Sequence, residues 1–153
     1  MGIMYHQFIC SDHAKWVSKN PQQAFLKIQE MQQIAETFLH HQQFQQAIPY
    51  LGSALETAEL IFDSRLESPQ LTTTLTCLSI MLANAYSQVN KATTGQALLD
   101  RINSKMIGAA SYGEDYHTKI AFYKHCVQAI KEASLDLFET PKVSPKAKSL
   151  TVH

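Results

Sequence analysis

The residues best able to do chemistry lie in a few short clusters. Glu114 and His117, in Glu114-Asp115-Tyr116-His117, are spaced to share one helix face, as di-iron bundle proteins require of a Glu-x-x-His pair. Such a centre needs a second pair and the chain has none, so Glu114 reads as a capping acid and His117 as a surface histidine. His40 and His41 fall where a helix should end, and an imidazolium there meets the negative pole of the helix dipole, so they read as a cap or groove position. His125 and Cys126 are adjacent, hence about 100° apart around a helix, which separates them too far for a nucleophile and base. Cys126 reads as core and His125 as exposed. Cys10, Cys77 and Cys126 are odd in number and widely separated, so they form neither a disulfide framework nor a CxxC motif. G-x-S-x-G, phosphate-cradling and dinucleotide-binding glycine motifs are all missing. The expectation is a chain that is not an enzyme and uses no cofactor or metal.

The bulk properties narrow the partners. The formal net charge is zero and the sequence pI is about 7.0, so no global basic field draws in nucleic acid or anionic lipid. The aromatic residues Phe25, Phe38, Phe44, Phe62, Tyr86 and Tyr123 sit at core spacing without interleaved Lys or Arg, unlike a nucleic-acid stacking platform. No apolar run is long enough for a membrane span, and the N-terminus lacks a secretion pattern, so a soluble, cytoplasmic protein is expected. Between Ile28 and Gln70 six acids face one base, Arg65; this reads as a solvated face that could also receive a basic partner.

The elements that must position these residues are helices. Five glycines and five prolines in 153 residues argue for long helices and few turns, and the length suits one domain. Residues 1–19 hold Tyr5, Phe8, Ile9, Trp16 and Val17 and read as a packing segment with a short helix capped by Ser11. Asn20-Pro21-Gln22-Gln23 starts the first long helix, with Ala24, Ile28, Met31, Ala35 and Phe38 as its buried stripe, ending near 40–42. Phe44 opens a second helix after a link short enough to force an antiparallel hairpin, and Ile34 to Phe62 reads as that pair packed face to face. Pro49 lies close enough to the helix start to be tolerated. Ser68-Pro69 starts a third helix, in which the period of Leu71, Leu75, Leu78, Leu82, Ala85 and Val89 outweighs the β-branched run Thr72-Thr73-Thr74. A turn over Asn90 to Thr94 leads to a shorter fourth helix ending before Gly108, with a loop from Gly108 to Gly113. A fifth helix from Glu114 to about Phe138 carries two apolar faces, which suggests burial on two sides and a homodimer. The reading gives an all-α domain over 20–138 and a disordered tail over 139–153.

At this point the chain resembles a tetratricopeptide repeat. Ile34, Ala35 and Phe38 fit the family's first helix, and Phe44, Ala47, Leu51 and Ala54 its second; a weaker copy begins 48 residues later at Leu82, Ala83 and Tyr86, followed by Gly95, Leu99 and Ile102. The spacing is similar to extended-helix variants such as those of kinesin light chain. The size and helix count are also similar to repeat-containing secretion chaperones, a likeness of fold alone. The resemblance implies antiparallel hairpins stacked as a right-handed array, with the first helix of each copy lining a groove. That places Gln32, Glu36 and His40 beside Asn84 and Gln88 as a partner-binding site for a protein or peptide segment. The family's carboxylate clamp needs Lys or Arg there, and only Asn84 matches it. The expected function is a non-enzymatic adaptor or chaperone-like module; the alternative is a small-ligand sensor or enzyme with a pocket near His40, Glu36 and His117.

Overall fold

Two prolines set the frame. Pro21 and Pro69 each occupy the first helical position, where the missing N–H would have no intrahelical partner, and each opens a helix of 20 residues. The computed structural model describes residues 7–64, 68–110 and 116–139. They form α1 (Ser11–Lys19), α2 (Pro21–His40), α3 (Phe44–Asp63), α4 (Pro69–Gln88), α5 (Ala92–Ala110) and α6 (Tyr116–Ser134), which runs on into a π-helical turn over Leu135–Glu139. No strand occurs among the described residues, and the architecture is all-α, with five long helices after a short first one.

The helices repeat in register. α4 begins 48 residues after α2, and α5 begins 48 residues after α3. The turns inside the two hairpins match as well: among the described residues Gln42 and Asn90 are the non-glycine residues with positive φ, at 59° and 64°. Beyond them the Gln43 N–H donates to the Phe38 carbonyl and the Lys91 N–H to the Tyr86 carbonyl, both at 2.8 Å. A left-handed residue followed by a back-reaching amide satisfies the last carbonyls of a helix and reverses the chain, so the same local chemistry builds both hairpins.

Each long helix packs chiefly on its neighbours in sequence, with α6 also reaching α4 and α1 lying on α3 and α2. Ala24, Ile28 and Ala35 of α2 are buried, as are Ala47, Leu51, Ala54, Leu55 and Ala58 of α3. Small residues permit close approach: a Cβ on Gly95 of α5 would stand 3.0 Å from the Ala83 carbonyl of α4 and 2.8 Å from the Phe138 ring. The threonine run lies within α4, where Thr76 Oγ1 donates back to the Thr72 carbonyl at 2.9 Å and needs no other partner. Pro49 lies within α3 without ending it. The amide it lacks would have met the carbonyl of Gln45, an exposed residue, so water can take that place.

Several expectations are corrected. Cys10, not Ser11, is the N-cap of α1, its Sγ accepting from the His13 N–H. Asn20 does not cap α2 with its side chain; its amide turns back and donates to the Trp16 carbonyl at 3.0 Å, closing α1 instead. The turn after α4 is complete by Lys91, so Thr93 and Thr94 are helical, and α5 runs through Gly108, where an added Cβ would meet nothing within 4 Å, so the glycine marks no loop there. Ile34 is exposed instead of packed. The loop over 111–113, Glu114, Asp115 and the tail from 140 lie outside the described residues.

Three of the six acids, Glu56, Glu59 and Asp63, are engaged within the fold. Glu59, buried in α3, pairs with Arg101 and Lys105 of α5, and Asp63 accepts from Lys105 Nζ at 2.6 Å. Glu56 accepts from the backbone N–H groups of Gln7, Phe8 and Ile9 at 2.8, 2.9 and 3.1 Å. This carboxylate fixes the chain before α1 on α3, and the Phe8 ring occupies the space over Gly52 that any larger residue would fill.

Candidate functional site

The face shared by α2, α4 and α6 holds the sequence-predicted groove residues. The 48-residue register reaches α6, because Leu75, Leu78 and Leu82 of α4 correspond to Tyr123, Cys126 and Ile130, all buried. In this register Gln32, Ile80 and Gln128 are equivalent, and so are Glu36, Asn84 and Glu132, and His40, Gln88 and Asp136. Helical period places them on one side of each helix: opposite the buried stripe on α4 and α6, and bordering the stripe of Ala24, Ile28 and Ala35 on α2. Glu36, His40, Gln88, Gln128, Glu132 and Asp136 are exposed, while Gln32, Ile80, Met81 and Asn84 are half-buried.

Within each helix the side chains are braced. Gln32 Nε2 donates to Glu36 Oε2 at 3.3 Å, and Gln128 Nε2 donates to Glu132 Oε1 at 3.3 Å, so equivalent Gln-to-Glu pairs recur on α2 and α6. Between helices the relation is proximity only: among the described residues no hydrogen bond joins Gln32, Glu36 or His40 to Asn84 or Gln88. Cys77 reports that proximity. Its thiol opens to the surface, yet burial by its surroundings pushes its pKa up, and the neighbouring Cys126 of α6 and Glu36 of α2 push the same way. Three helices therefore bear on this one thiol.

A cavity of about 360 Å³ lies at the start of α2 and α4, lined by Pro21, Gln22 and Phe25 of α2, Ile61 of α3, and Ser68, Gln70 and Leu71 at the head of α4. Its walls are apolar with an amide and hydroxyl rim, and among the described residues no ionisable side chain lines it. A second cavity of about 250 Å³ surrounds Phe8, between Gly52 and Leu55 of α3, Leu82 and Tyr86 of α4, and Leu98 and Arg101 of α5. Burial and then Glu56 push the Tyr86 hydroxyl pKa up, with Arg101 opposing.

Neither cavity is lined by Glu36 or His40, which stand on the exposed face; the side chain of His117 lies outside the described residues. His40 and His41 close α2 with their rings edge to face at 5.5 Å. His125 is exposed and Cys126 buried, as their adjacency implied. Among the described residues no three His, Cys, Asp or Glu gather to hold a metal ion, and no helix is long and apolar enough to cross a membrane. Sequence reasoning missed Cys77, Ile80, Met81, Gln128 and Glu132. Carrying the 48-residue interval from Gln32 and Glu36 two steps forward would have found the α6 pair.

Comparison with protein-family models, with curated proteins and with solved structures returns no match for this chain.

Proposed function

We infer that the chain is a non-enzymatic interaction module that captures a protein segment on the α2–α4–α6 face, in the manner of a tetratricopeptide array. The observation that carries this reading is the repetition of one braced polar pair, Gln32 with Glu36 and Gln128 with Glu132, at the positions that Ile80 and Asn84 take on α4. Side chains of this kind can hydrogen-bond the backbone of a bound segment, while half-buried Ile80 and Met81 offer an apolar strip on α4. The adaptor or chaperone role, and a protein partner met in the cytoplasm, belong to this reading.

The test uses the thiol already at the centre of the face. With Cys10 and Cys126 replaced by Ser and Ala, a photo-crosslinker on Cys77 should yield a discrete adduct in an extract of the source cell. The double variant Glu36→Ala, Asn84→Ala should lose that adduct while its Tm stays nearly unchanged, since Glu36 is exposed and Asn84 half-buried. An adduct that survives the double substitution removes Glu36 and Asn84 from the capture site, and the lack of any adduct at Cys77 removes this face from consideration.

A further inference from the structure

We propose that the segment taken by this face carries an apolar anchor for the cavity between the starts of α2 and α4, and a Lys or Arg a few residues away that meets Glu36. This rests on the segment-capture reading above and specifies its partner. The anchor follows from the cavity: at about 360 Å³, walled by Phe25, Ile61 and Leu71, it takes one large aliphatic or aromatic side chain and repays a charged one poorly.

The basic residue follows from charge. Among the described residues of the face, α2 contributes Gln29, Gln32, Glu36 and His40, α4 contributes Cys77, Ile80, Met81, Asn84 and Gln88, and α6 contributes His125, Gln128, Glu132 and Asp136. The carboxylates here are Glu36, Glu132 and Asp136; exposed Lys124 and Lys131 border Gln128 on α6, whereas the shares of α2 and α4 hold no Lys or Arg. The acids elsewhere differ: Glu56, Glu59 and Asp63 are held by backbone amides, Arg101 and Lys105, whereas Glu36 has a neutral glutamine as its hydrogen-bond partner. An opposite charge from outside therefore adds an interaction that the fold does not already supply.

The spacing follows from the helix rise. Phe25 and Glu36 are about 16 Å apart along α2 at 1.5 Å per residue, and Glu36 is near enough to influence Cys77, about 9 Å along α4 from Leu71. An extended chain advances about 3.3 Å per residue, which puts the basic residue roughly three to five positions from the anchor.

A random dodecapeptide library displayed on phage and selected on the full-length chain tests this. The expected outcome is enrichment of peptides with a Leu, Ile, Met or Phe three to five positions from a Lys or Arg. Synthetic versions should slow alkylation of Cys77 and lose about fivefold or more in affinity on Glu36→Lys, with a partial loss on raising salt. Peptides that protect Cys77 but lack basic residues, or that bind Glu36→Lys unchanged, overturn the assigned chemistry and leave segment capture standing. Failure of any selected peptide to protect Cys77 overturns both.

Discussion

The hairpins α2–α3 and α4–α5 share helix starts, turn geometry and a 48-residue register, yet one lies at the edge of the array and the other inside it. The difference is carried by one stripe. On α4 it reads Leu71, Leu75, Leu78, Leu82, Ala85 and Val89; at the equivalent positions α2 has Gln23, Lys27, Glu30, Ile34, Thr37 and His41. Leu82 is 2% exposed and Leu98 6%, while their counterparts Ile34 and Tyr50 are 42% and 37% exposed. Lys27 and Glu30 pair on that outer side at 3.5 Å. The backbone plan can thus be copied unchanged, and the polarity of a single stripe decides whether another helix can lie against it. A polar outer face is what a terminal unit of a stacked array needs.

Breaking the comparison most severely means giving α4 the stripe of α2. Leu75→Lys with Leu78→Glu buries charge where both leucines are fully enclosed, and loss of cooperative thermal unfolding is expected, read by circular dichroism. A milder form is Leu82→Ala, which should cost about 2–4 kcal/mol in urea unfolding, against under about 0.5 kcal/mol for Ile34→Ala at the matching exposed position. Equal costs would mean that the register does not govern burial. Gly52→Val tests the extra piece that belongs to the first hairpin, because a Cβ there would stand 2.4 Å from the Phe8 ring. Stability should fall by about 1–3 kcal/mol, and hydrogen exchange should show faster amides at Phe8 and Ile9. The smallest effect separates the thiols. Cys126 should react with a disulfide reagent only on unfolding, and Cys77 should react in the native state with its rate rising at more alkaline pH than that of a free thiol, because its raised pKa keeps thiolate scarce.

Most of the fold was legible because its signals are local. Pro21 and Pro69 mark helix starts, and the three- and four-residue spacing of Leu71 to Val89 outweighs the β-branched threonines. The errors come from side chains with two possible partners. Asn20 could close the helix before it or open the one after it, and only the packed structure selects Trp16. Ile34 fits a buried pattern by type, but none of the described helices covers it. The positions expected to form a groove on α2 and α4 follow from the 48-residue interval between two sequence copies, whereas Gln128 and Glu132 were not read from it, because in the same register Ser134 stands where Phe38 and Tyr86 stand, which hides the copy on α6. The acids of α3 read as part of a solvated face that could also receive a basic partner, and the pairing of Glu59 and Asp63 with Arg101 and Lys105 across 42 residues is not a local signal.

The grip of Glu56 on the amides of Gln7, Phe8 and Ile9 spans 47 to 49 residues of chain. During vectorial synthesis the leading segment leaves the ribosome well before its carboxylate clasp exists, so it must wait, with Phe8 unsheltered, until α3 has emerged. A nascent chain stalled short of α3 should therefore be trimmed at its leading end by a protease that spares the finished protein.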